Sequence, residues 1–163
     1  MRPRLTPSLT PAICLALLIG CGADPEQLKN EAQQALSVGN FSQARDISTQ
    51  ALAQAAGSEK RLVWALERIR LEALARDNEG DETRESLERL AAEYPAQANA
   101  SLYLAMATYL RDAGGTHSAI DILVAGDERF PEESEKFKTM IQEMEAGGLD
   151  PAEIERLKSL GYL

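Results

Sequence analysis

Cysteine is scarce in this chain of 163 residues: there are two, Cys14 and Cys21, both within the first 21 positions. The rest of the sequence can form no disulfide, so packing alone must hold it together. Without a thiol there, the one histidine, His117, has no partner for a Cys–His nucleophile or a His/Cys metal cluster. His117 follows Gly114-Gly115-Thr116 at the start of a helical segment, the place of a solvated turn residue. Gly114-Gly115 lacks the further glycines and the lysine of a phosphate-binding loop. Asp77, Glu79, Asp81 and Glu82 crowd a polar turn, whereas paired-carboxylate hydrolysis needs an apolar cleft that raises one pKa. These gaps leave no catalytic residue, metal site or cofactor site to name, and the chain is read as non-enzymatic.

Long apolar runs are also missing. Ala12 to Ile19 is an apolar run of eight residues, against about 20 for a spanning helix. Positive charge is in deficit, with 17 Lys and Arg against 26 Asp and Glu and a net charge of −9. Such a surface repels nucleic acid and anionic lipid headgroups.

What the chain does have is helix. Ala, Leu, Glu, Gln and Arg dominate, β-branched runs are absent, and turn signals recur at Gly39-Asn40, Gly57-Ser58, Asp77 to Gly80, Pro95, Gly114-Gly115, Pro131 and Gly147-Gly148. The pattern predicts eight helical segments, near 25–38, 41–56, 59–76, 81–94, 97–113, 116–130, 132–146 and 151–160. Leu62, Leu66, Ile69 and Ala73 recur at helical spacing, as do Leu87, Leu90 and Tyr94. Pro25, Pro131 and Pro151 stand at segment starts, where a missing amide proton costs little. Short breaks between helices imply an antiparallel all-α arrangement.

Pairing these segments brings out a repeat. Ala32, the run Gly39-Asn40-Phe41-Ser42-Gln43-Ala44 and Ala51 form one unit, and Ala107, Gly114, Ala119 and Pro131 another. This resembles the tetratricopeptide repeat, a helical hairpin of about 34 residues with small residues at the helix crossing. The resemblance covers roughly residues 26 to 131. The middle unit departs from it. Gly80 to Pro95 is two residues shorter than Gly114 to Pro131, and Thr83 or Glu85 stands where alanine is expected. The resemblance implies an all-α, right-handed solenoid of about three helical hairpins. It also implies a concave face, lined by the first helix of each pair, that holds peptides. Carried across, the groove positions are Lys29 and Gln33, Arg68 or Arg70 depending on register, and Leu104, Thr108 and Arg111.

The N-terminus resembles a bacterial lipoprotein signal peptide. Arg2 and Arg4 precede the apolar run, which ends in Leu18-Ile19-Gly20-Cys21, similar to a lipobox. The resemblance implies cleavage before Cys21 and acylation of its thiol and new amine. It implies durable anchoring to the cell envelope, with the outer membrane, facing the periplasm, favoured by Gly22 and Ala23. Loss of Arg2 and Arg4 would take the net charge from −9 to −11.

The C-terminus, residues 149–163, ends in Leu157-Lys158-Ser159-Leu160-Gly161-Tyr162-Leu163. It is similar to the L-x-x-L-G-Y-[LV] endings of some bacterial sulfatases and repeat proteins, without any sulfatase catalytic domain. Ile154, Leu157 and Leu160 make one apolar stripe, and Gly161 can end a helix with positive φ. The stripe is expected to form a C-terminal capping helix over the last hairpin, as terminal repeats require; the alternative is a docking peptide for a partner, through Leu157, Leu160, Tyr162 and Leu163. The organisation expected is thus a signal peptide over 1–20, a lipidated tether over 21–25, a helical domain over 26–148 and a helical tail over 149–163. The function expected is a membrane-anchored protein-interaction module, an adaptor or assembly scaffold. The alternatives are a non-catalytic accessory subunit docking through its tail, and a cell-wall-acting enzyme.

Overall fold

The computed structural model describes residues 24–163, and among them the fold is all-α, with eight helices and no strand. The helices are α1 (Pro25–Ser37), α2 (Phe41–Gln54), α3 (Lys60–Arg76), α4 (Gly80–Glu93), α5 (Ala100–Asp112), α6 (Thr116–Arg129), α7 (Ser134–Ala146) and α8 (Pro151–Leu160). The signal peptide, the lipobox residues Leu18, Ile19 and Gly20, and Cys21 lie outside the described residues.

Local chemistry sets the ends. Asp24 accepts the Glu26 N–H at 3.1 Å and Asp150 accepts those of Ala152 and Glu153 at 2.8 and 3.0 Å, each aspartate followed by proline at the first helical position. Two starts differ from the sequence expectation. α5 begins at Ala100 rather than near 97, because the Asn99 carboxamide takes the Leu102 N–H at 3.2 Å. Ahead of α7, Pro131–Glu133 winds as a short 3-10 turn.

Three hairpins, α1–α2, α3–α4 and α5–α6, are closed by the same turn. In each, one residue adopts a left-handed backbone: Gly39 at φ 81°, Asn78 at φ 61° and Gly114 at φ 89°. The next residue then donates its N–H to the carbonyl five positions back, Asn40 to Ala35, Glu79 to Leu74 and Gly115 to Leu110, at 2.8–3.0 Å. Asparagine tolerates this conformation better than other non-glycine residues. The middle turn therefore hinges on Asn78, not on Gly80, which is the first residue of α4. With Asn78 as the reference, the apparent two-residue shortage disappears: Asn78 to Pro95 equals Gly114 to Pro131. Thr83 then aligns with Ala44 and Ala119, and all three are fully buried. The Thr83 hydroxyl is satisfied locally by the Glu79 carbonyl at 2.7 Å, while Glu85 is exposed.

The hairpins stack unevenly. α3 is central, touching α1, α2, α4 and α5, and α6 packs on α4, α5 and α7. Between α1, α2 and α3 the core is mostly alanine: Ala32, Ala35, Ala44, Ala51 and Ala55, with Leu28, Leu36, Leu66 and Ile69. Beyond α3 one continuous cluster runs to α8, built from larger side chains such as Leu87, Tyr103, Leu110, Ile120, Phe137 and Ile141. Gly126 is the contact point of α6 and α7, since a Cβ there would fall 2.3 Å from the Phe137 ring.

Candidate functional site: a groove along α1, α3 and α5

The first helices of the three hairpins share one face. Between α1 and α3 lies a groove of about 850 Å³ lined in part by Lys29, Gln33, Arg61, Trp64 and Arg68. A smaller hollow of about 390 Å³ continues it between α3 and α5, where Trp64 and Arg68 meet Asn99, Ala105 and Tyr109. Arg61, Trp64 and Arg68 follow one another at i, i+3 and i+7, which places them on one stripe of α3. Trp64 is half-buried and its ring lies 5.3 Å from that of Tyr94, tilted by 48°. This contact fixes the indole at the junction of the two hollows.

Charges in and beside the groove divide into paired and unpaired groups. Lys29 is bound to Glu26, and Arg76 donates to Glu72 at 2.8 Å. The Arg76 guanidinium also lies 4.0 Å from the Tyr109 ring centroid and 5.9 Å from that of Phe41, a cation–π sandwich joining α2, α3 and α5. Arg61 and Arg68 are exposed and, among the described residues, take part in no ion pair or hydrogen bond.

The remaining groove candidates lie elsewhere. Arg70 is on the opposite face with Arg45, Glu79 and Glu82, 3.8 Å from Glu67. The Thr108 hydroxyl donates to the Leu104 carbonyl at 2.8 Å and lies 3.9 Å from Met140 Sδ, so Leu104 and Thr108 sit beside α7. Arg111 is paired with Asp112 at 2.9 Å. Counting back from the three turn residues, Lys29, Arg68 and Leu104 are equivalent positions. Only the first two line the groove. The carry-over of groove positions missed Arg61, Trp64 and Tyr109; the signal for the first two was the basic–aromatic–basic stripe at helical spacing.

The tail folds back on the molecule. Leu157 is fully buried in the main cluster, Ile154 is half-buried, and Leu160 is 49% exposed. The stripe read from the sequence is thus narrower than expected, because Gly161, at φ 81°, ends the helix and turns Tyr162 and Leu163 inward onto the core. The Tyr162 hydroxyl donates to Asp127 Oδ2 at 2.8 Å, and burial, with that bond, pushes the phenol pKa up. Asp127 Oδ1 is buried without a partner among the described residues. Nearby, His117 Nδ1 meets the buried Glu153 carboxylate, and Arg156 meets Asp121. The bond to Glu153 holds the His117 pKa above its ordinary value. Sequence reading treated His117 as solvated; its side chain is 66% exposed, yet it is part of this ionic latch.

Among the described residues there is no group of three or more His, Cys, Asp or Glu able to hold a metal, and no helix long and apolar enough to cross a membrane. What the groove offers is two guanidiniums, unpaired among the described residues, on one helix stripe with an aromatic ring between them. Comparison with protein families, with characterised proteins and with solved structures finds no match for this chain.

Proposed function

We propose that this chain is a lipid-anchored protein-interaction module of the bacterial cell envelope, built from three tetratricopeptide-like hairpins and closed by a C-terminal cap. The observation that carries the reading is the continuous groove along α1, α3 and α5. Stacked helical hairpins present such a face because the first helices all lie on one side. Ala44, Thr83 and Ala119, each five residues after its turn at 39, 78 or 114 and each fully buried, support the repeat reading. The spacing of those turns, 39 and then 36 residues, is longer than about 34, so these hairpins are a stretched version of the pattern. Burial of Leu157 and the bond from Tyr162 to Asp127 support a capping role for the tail. The exposed Leu160 supports the second reading, an accessory subunit that docks through its tail. The module has no catalytic role in either reading.

Two experiments test this. A photo-crosslinking residue placed at Gln33, in the groove, should trap a partner in cells, whereas one at Gln50, on the opposite face, should not. Equal trapping from both faces would remove the groove from the proposal. Metabolic labelling with a fatty-acid analogue should mark the chain and spare Cys21→Ser; labelling of both refutes the anchor.

A further inference from the structure

The groove's chemistry narrows its occupant, on the premise that it is the interaction face proposed above. We infer that it binds an extended acidic segment of a partner protein, with two carboxylates about 10 Å apart flanking an apolar side chain. The spacing follows from α3: Arg61 and Arg68 are seven residues apart, which at the rise of an α-helix is about 10.5 Å. Trp64 lies between them on the same stripe.

Charge selects the partner. In a chain of net charge −9, arginines are expected to be consumed by local carboxylates. Arg45, Arg70, Arg76, Arg84, Arg89, Arg111 and Arg156 all have carboxylate partners, and Arg129 donates to the Ala91 carbonyl. Arg61 and Arg68 have neither among the described residues, although Glu26, Glu59 and Glu72 line the same groove, Glu26 paired with Lys29 and Glu72 with Arg76. A guanidinium without an internal acceptor has all its donors available for a bidentate bond to an incoming carboxylate. Between the two cations the half-buried indole offers an apolar seat already held by Tyr94. An extended backbone advances about 3.3 Å per residue. Acidic residues three or four positions apart therefore match the pair of arginines within the reach of their side chains. This chain's own residues 1–23 carry Arg2 and Arg4 and no acid, so that segment cannot supply the carboxylates.

Trp64 is the one tryptophan of the chain, so its emission reports on the groove directly. The full chain in neutral detergent would be titrated with a tryptophan-free decapeptide carrying two glutamate pairs around a central leucine, and with its glutamine counterpart. Saturable change of Trp64 emission is expected with the acidic peptide, about tenfold weaker with the amide peptide. A similar loss is expected for Arg61→Gln or Arg68→Gln, with unchanged melting temperature because both side chains are exposed. Arg70→Gln should bind as the parent does, and added salt should weaken the acidic peptide only. Equal binding of both peptides, lost on Trp64→Phe by anisotropy of a labelled peptide, overturns the acidic assignment and leaves the groove as an interaction site. No response to either peptide, or a response to anionic lipid vesicles in place of peptide, overturns the inference. So does a concentration-dependent emission shift without ligand, which would make a second copy the occupant. Crosslinking from Gln33 tells in each case whether the broader interaction reading survives.

Discussion

The first and third hairpins share a turn and a pattern of buried positions, yet they bury different things. Counting from Gly39, the inward positions of α1–α2 hold Leu28, Ala32, Ala35, Ala44, Ser48 and Ala51; counting from Gly114, those of α5–α6 hold Tyr103, Ala107, Leu110, Ala119, Leu123 and Gly126. The third hairpin is also covered by α7 and the tail, whereas α1 is terminal among the described helices. Since hydrophobic stabilisation scales at about 25 cal/mol per Å² of apolar surface buried, equal geometry does not give equal stability. Backbone and turn define the architecture, and side-chain volume decides which part of it is firm. The groove straddles this difference in side-chain size, with α1 in the alanine-rich clusters, α5 in the cluster of larger side chains and α3 contributing to both.

That contrast can be broken, starting with the largest effect. Phe137→Ala empties the point where α7 meets Gly126 and should cost about 3–5 kcal/mol in chemical denaturation, whereas Ala51→Gly, in the alanine-built core, should cost about 1 kcal/mol. Similar losses at both sites would mean that the two cores are equally firm. Next comes truncation after Gly148. It uncovers the seat of Leu157, worth about 1.5–3 kcal/mol, and should lower the melting temperature. A truncated chain that melts with the parent would transfer the tail from cap to docking peptide. Third, Ala44→Leu and Ala119→Leu should each cost about 1–3 kcal/mol by overpacking. The loss should be smaller at Ala44, where neighbours are small, and leucine at the half-exposed Glu79 or Glu133 should cost under about 0.5 kcal/mol. A larger loss at Ala44 than at Ala119 would invert the contrast.

The smallest effect is one of pH, confined to the tail. His117 faces Glu153, Asp121 and Arg156, and its pKa is raised above 6.5 in the folded state, first by the bond to Glu153. A raised folded pKa stabilises fully below the unfolded value and is lost as pH rises through the folded one. Tail protection, read by hydrogen exchange in α8, should therefore decline above about pH 6.5 in the parent and not in His117→Gln. A pH-independent α8 would remove His117 from the latch.

Much of the fold was legible because helices announce themselves by period and by caps. All eight segments are present, with only the starts of α5 and α7 displaced, and Asp24-Pro25 and Asp150-Pro151 mark their own helix starts. The middle turn was misread because a search for glycine passes over Asn78, whose side chain tolerates the same left-handed backbone. α5 starts late because Asn99 offers a side-chain acceptor that periodicity does not register. The site was less legible. Arg68 and Arg70 stand about 200° apart around the helix, and only the packing of α3 on its neighbours shows which of the two faces the groove. Trp64 reads in sequence as one more apolar helix residue; its meeting with Tyr94, thirty positions on, makes it part of a surface.

Arg76 has a consequence of a different kind. Its guanidinium lies between Phe41 of the first hairpin and Tyr109 of the third. Stacked hairpins otherwise transmit force only from neighbour to neighbour. Here the guanidinium at the C-terminal end of α3 meets a ring on each side, so one side chain of the second hairpin touches both the first and the third. Without it the two ends would be joined through the packing of α3 alone, and the molecule would yield more readily to a pull between Phe41 and Tyr109.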